Sequence, residues 1–159
     1  MVFPRVFPTR LYLELAAGVT LDLGGGTLTV AGIGGSGSVV NGTVVVTDEI
    51  CPGGRGAVGT LTFETAPVVA GATLVIEGDG IGAVDALAVA SDFDMAGLAL
   101  SVPAQNAIAP GDHAVVVSGG TRSGAFVATD LPNGGRLSLS YTAAAAVLSR
   151  RTGLLLIMR

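Results

Sequence analysis

Lysine and tryptophan are absent from the 159 residues, and cysteine and histidine occur once each. Without Lys there is no Schiff-base enzyme, no complete Walker A loop and no Lys–Asn isopeptide crosslink. All eight basic residues are Arg. The single Cys51 cannot close an internal disulfide, so it leaves the redox compartment open. Its ordinary reading is a small, semi-buried hydrophobe. The single His113 cannot build a His-rich metal site.

Charge is scarce too, at 13% of residues with a net −4. An acidic chain without a basic patch argues against nucleic acid or an anionic membrane as partner. Long apolar runs are missing as well. Residues 143–148 and 154–158 fall far short of the roughly 18 needed to span a bilayer, and Arg150 and Arg151 separate them. No membrane insertion by this chain is expected. At the N-terminus, Pro4, Arg5, Pro8, Arg10 and Glu14 interrupt any apolar core of a signal peptide.

What the chain does have is apolar and small. Half the residues are hydrophobic, which excludes intrinsic disorder. Glycine accounts for 25 positions, well over the usual roughly 7%, with 23 Ala and 21 Val beside it. The dominant pattern is period-2 alternation in short runs. Leu21 and Leu23 alternate with Thr20 and Asp22, Leu28 and Val30 with Thr27 and Thr29, and Leu61 and Phe63 with Thr60 and Thr62. Leu137, Leu139 and Tyr141 alternate with Arg136, Ser138 and Ser140. Further strand-like runs cover 43–47, 72–77, 86–90, 98–102, 113–118 and 154–158. Thr and Val suit a pleated surface because their branched Cβ is stiff and packs on its neighbours. The chain reads as all-β.

Turn chemistry separates the runs: Gly24-Gly25-Gly26, the glycines of 32–37, Asn41-Gly42, Pro52-Gly53-Gly54, Gly78-Asp79-Gly80, Pro110-Gly111-Asp112 and Pro132-Asn133-Gly134-Gly135. Strand starts recur mostly about 12–17 residues apart. That spacing fits an antiparallel sandwich or barrel, and it equally fits a solenoid of stacked coils. The shortage of aromatics predicts an interior of Val, Leu, Ala and Ile in ladders, which favours the solenoid, with about seven or eight coils.

The order of motifs adds a resemblance. Gly26-Thr27-Leu28-Thr29-Val30 is followed by Gly35-Ser36-Gly37-Ser38-Val39-Val40-Asn41-Gly42-Thr43, then Pro52-Gly53-Gly54 and Val58-Gly59-Thr60-Leu61-Thr62-Phe63. Next come Ala70-Gly71-Ala72-Thr73-Leu74-Val75-Ile76-Glu77, Val84-Asp85-Ala86-Leu87-Ala88-Val89, Ala96-Gly97-Leu98-Ala99-Leu100, Gly124-Ala125-Phe126 and Leu131-Pro132-Asn133-Gly134. Over roughly residues 18–148 this order resembles the end of a bacterial autotransporter-type passenger built from autotransporter-associated strand repeats. The resemblance implies a right-handed parallel β-helix, secretion or surface display, and a structural or adhesive role without catalytic residues. It also implies that Asp85 is a turn-capping side chain ahead of a strand. The chain departs from that pattern in having neither a signal peptide nor a C-terminal membrane barrel.

Candidate chemistry is thin. Gly32-Ile33-Gly34-Gly35-Ser36-Gly37 matches a dinucleotide fingerprint in letters, but a strand-like run follows where the phosphate site needs a helix. Asp79, Asp85, Asp92 and Asp94 offer oxygens for calcium, without the spacing of a known loop. Asp112-His113 enters a strand and has no identifiable serine partner. Glu64, Glu77 and Asp79 are the carboxylates a polysaccharide-cleaving β-helix would use; its sugar platforms would have to be Tyr12 or Tyr141. Asn41-Gly42-Thr43 is a glycosylation sequon that reads as a turn.

The expectation is therefore an all-β chain forming a single right-handed parallel β-helix, with an antiparallel β-sandwich as the alternative. Residues 1–17 would be an extension or remnant coil, 18–142 the solenoid, and 143–159 capping strands. The expected function is a non-catalytic structural or adhesive segment of a secreted or cell-surface protein; a polysaccharide-binding or polysaccharide-cleaving β-helix is the alternative. No catalytic, metal or cofactor residue is assigned. A surface polysaccharide, a protein ligand and end-to-end self-association remain open as partners.

Overall fold

The computed structural model describes residues 10–69, 71–103, 108–131 and 136–152. They build an all-β protein with no helix among the described residues, dominated by one curled, mixed sheet. The first passes of chain are β1 (Tyr12–Leu15), β2 (Thr20–Gly35) and β3 (Ser38–Pro52). The third full pass divides into three strands, β4 (Thr60–Phe63), β5 (Val68–Val69) and β6 (Thr73–Val75), each parallel to its own third of β3. The next passes repeat this division. They are β7 (Ala86–Val89), β8 (Phe93–Asp94) and β9 (Ala99–Ser101), then β10 (Gly111–Ser118), β11 (Arg122–Ser123) and β12 (Thr129–Asp130). Strand β7 lies between β4 and β10, β9 between β6 and β12, and β8 against β11, all parallel.

The parallel stack ends at β10. The chain continues into β13 (Leu137–Tyr141) and β14 (Ala145–Arg150); β14 pairs antiparallel with β10 on one side and with β13 on the other. The sheet is thus mixed, neither the single parallel coil expected throughout nor an antiparallel sandwich. Within the expected cap, 143–159, the described strand is β14, while 153–159 and the run 154–158 lie outside the described residues. Pro4, Pro8 and residues 132–135 lie outside them as well.

Stacking puts like residues on like. Val39, Phe63 and Val89 face one another on successive passes, as do Leu61, Leu87 and Val116, and Ile33, Ile50, Leu74 and Leu100. All of these are buried in one core. Each such side chain contributes about 1.5–3 kcal/mol by leaving water, so the ladders are the main source of stability. Two expectations need correction. The core is not Val, Leu, Ala and Ile throughout, because Phe63 and Phe93 are among its fully buried members. The passes are also fewer and longer than the strand spacing suggested. Val39 meets Phe63, 24 residues on, and Leu87 meets Val116, 29 residues on, so each pass after β3 holds several strand starts.

The glycine clusters do not all turn corners. Gly24, Gly25 and Gly26 sit inside β2 and Asn41-Gly42 inside β3, where the β2–β3 register shifts between Asp22 and Gly26. Gly24, Gly25 and Asn41 have positive φ, so they bend a strand without ending it. The sequon asparagine is therefore a kink within β3, its amide donating to Asp22 Oδ1 at 3.1 Å and its backbone N–H to Glu64 Oε2 at 2.7 Å.

Candidate functional site

The acids single out how this molecule handles charge. Asp85, fully buried at the start of β7, accepts the Gly59 N–H on Oδ1 at 2.8 Å and the Glu77 N–H on Oδ2 at 2.9 Å. It joins the loop after β3 to the loop after β6. Burial pushes its carboxyl up to about 6; the two backbone donors pull the other way, and nearby Glu77 adds to the rise. The side chain does stand ahead of a strand, but it ties together separate passes of chain. Asp79 instead closes its own loop, taking the N–H groups of Ile81, Gly82 and Ala83 on Oδ1, all at 2.9 Å. Those donors hold its pKa below the usual value.

The remaining candidates are similarly engaged. Asp92 Oδ1 accepts from Thr121 N at 2.6 Å, Asp94 Oδ1 from Ala96 N at 3.0 Å, and Glu77 Oε2 from Gly56 N at 2.6 Å. Asp92, Glu64 and Glu77 reach across to a neighbouring pass. The structure does not bring Glu64, Glu77 and Asp79 together, and no three His, Cys, Asp or Glu side chains converge as a metal site among the described residues. His113 Nε2 contacts the Ala109 carbonyl at 2.9 Å. The glycines of 32–37 lead straight into β3, so no helix N-terminus meets them.

One cleft, of about 360 Å³, does gather chemically mixed side chains. It lies where β1 runs parallel to the end of β2, beside the corner that follows β3. Alternation on β1 turns Tyr12 and Glu14 outward and buries Leu15. The register then sets Tyr12 beside Gly32 and Gly32 beside Glu49, and next to that rung Glu14 beside Gly34 and Gly34 beside Cys51. Both glycines are needed. A Cβ on Gly32 would lie 2.3 Å from Tyr12 Cδ1, and one on Gly34 would lie 2.8 Å from the Cys51 carbonyl oxygen. Tyr12 thereby extends over the rung and donates its hydroxyl to Asp48, an acceptor that raises the phenol's pKa. Glu14 projects toward Gly54, where a Cβ would come 2.6 Å from its Oε1.

Arg55, on the corner, donates from Nη2 to both Glu49 oxygens at 2.7 and 3.0 Å. Cys51 lines the cleft but is itself buried. Burial first, and then Glu49, Glu77 and Asp85, push its thiol up to about 11. It is a protonated packing group at neutral pH rather than a nucleophile. In sequence Tyr12 stands out only as a scarce aromatic, and nothing groups it with Glu14, Glu49 and Arg55. They come from β1, the far part of β3 and the corner after it, and only the β1–β2–β3 register brings them together.

No family model, curated protein or solved structure matches the chain.

Proposed function

We propose that this chain is a non-catalytic structural or adhesive segment of a secreted or cell-surface β-solenoid protein, similar to the strand repeats of autotransporter-type passengers. On this reading the passes from β2 to β12 form a right-handed parallel β-helix, and β13 and β14 cap it. The observation that carries it is the parallel pairing of successive passes from β2 to β10, with like apolar residues stacked on one another. Such a stack gives rigid extension, because each pass covers the edge of the one before it. The buried carboxylate and several surface ones are taken up by backbone N–H groups, which suits a scaffold better than an acid–base catalyst.

The test is a blot of source cells with an antibody to this chain, before and after external protease. A band lost on shaving supports display. A band that survives on intact cells and vanishes only after lysis overturns it.

A further inference from the structure

We propose that the cleft between Tyr12, Glu14, Glu49 and Arg55 binds a neutral glycan, with a sugar ring laid against Tyr12. This goes beyond the scaffold role and does not depend on display. The volume, about 360 Å³, is at the small end of the roughly 300–1,000 Å³ of small-molecule sites. A pyranose has an apolar C–H face and a rim of hydroxyls that both donate and accept. The cleft offers the complement to each.

Tyr12 is half exposed, and its hydroxyl is held by Asp48, so its ring is a fixed apolar platform with little rotamer freedom left to lose on binding. Glu14 and Glu49 supply acceptors and Arg55 supplies donors. The Glu49–Arg55 pair holds two of these groups in a fixed relation, as a polar rim must be to read hydroxyl positions. Electrostatics narrows the class further. Glu14, Glu49 and Asp48 outnumber Arg55 and Arg10, which lies 3.9 Å from Asp48. A uronate or sulfated chain would therefore be repelled.

The experiment is an amide NMR titration of the purified chain with cellohexaose, maltohexaose and chitohexaose at millimolar concentration, with oligogalacturonate and trilysine as comparison probes. Saturable shifts at Gly32, Gly34 and Gly54 with at least one neutral glycan are expected. Tyr12→Ala and Arg55→Ala should each weaken that binding about tenfold or more, while Tyr12→Phe, which keeps the ring, stays within about threefold. Unchanged amide positions from β4 to β10 would show that the variants remain folded. The proposal is overturned by the absence of shifts with all three neutral glycans or by shifts that map elsewhere. Full affinity in Tyr12→Ala, or binding of oligogalacturonate or trilysine alone, overturns it too.

Discussion

Asp85 is the residue at which the interior of this protein and its chemistry meet. Among the described residues it has no cation partner; its oxygens face the Gly59 and Glu77 N–H groups, and the neighbouring charge is the like charge of Glu77. Its folded pKa of about 6 lies above the ordinary aspartate value of 3.8. Between those values the native state holds a proton that the unfolded chain has released. This group therefore adds stability as pH falls from neutral through about 6, and that gain is complete below 3.8. Asp79 works with the opposite sign, since its lowered pKa makes stability fall as pH drops through its own, more acidic range. Thermal unfolding followed from neutral to mildly acidic pH should show a rise in Tm that disappears in Asp85→Asn and persists in Asp79→Ala. An identical rise in Asp85→Asn would remove Asp85 as its source. Asp85→Ala is the harsher change at neutral pH. It leaves two backbone donors without an acceptor, at about 1–3 kcal/mol each.

The same corner gives a second residue-level prediction. A Cβ on Gly59 would stand 1.9 Å from Ser36 Oγ and 2.9 Å from the Gly53 Cα. Rotating Ser36 relieves only the first contact, and the backbone must give way for the second. Gly59→Ala is expected to destabilise by about 1–3 kcal/mol, read from denaturant unfolding. Pairing it with Ser36→Gly should recover part of that loss and no more.

Among the elements, alternation made most strands legible. The runs at 60–63, 86–90 and 137–141 appear as β4, β7 and β13; Leu61 and Phe63 lie in the core and Leu137 and Leu139 pack against it, while Tyr141 stays exposed. What alternation does not contain is which glycines bend a strand and which end it. Gly24-Gly25-Gly26 and Pro52-Gly53-Gly54 look alike in sequence, yet one is inside β2 and the other ends β3. The difference lies in hydrogen bonds to the next pass, a long-range property. The cleft was invisible for the same reason. So was the antiparallel pairing of β13 with β14, which Arg122 at the start of β11 braces. Its Nε donates to the Thr142 carbonyl at 2.9 Å, its Nη1 to the Gly124 carbonyl, and its guanidinium lies 4.8 Å from the Tyr141 ring centre. Arg122→Ala should cost about 1–3 kcal/mol, and hydrogen exchange should speed up at β13 and β14 while β3 and β4 keep their protection. Arg122→Lys should recover little, because one ammonium cannot span two carbonyls and the ring. Uniform loss of protection would instead make Arg122 part of the global fold.

At the scale of the whole molecule the two faces of the stack are finished differently. A parallel stack has no internal reason to stop, since each pass presents the N–H and C=O groups that the next one needs. On the β10 side the chain reverses direction: β14 runs antiparallel along β10 from Gly111 to Val117, with a register shift between Ala114 and Val116. The reversal matters because a further parallel pass would recreate the edge it covers, whereas a hairpin adds strands of opposite direction and an irregular register. Ala146 and Leu148 of β14 also close the core from that side, both fully buried. Ending the chain at residue 143 should thus uncover a β10 edge and part of the core together. Light scattering is expected to show concentration-dependent association while far-UV circular dichroism keeps its β signal. A truncated chain that stays monomeric and folded would mean that β10 is protected by its own bulge and that β14 serves the core alone.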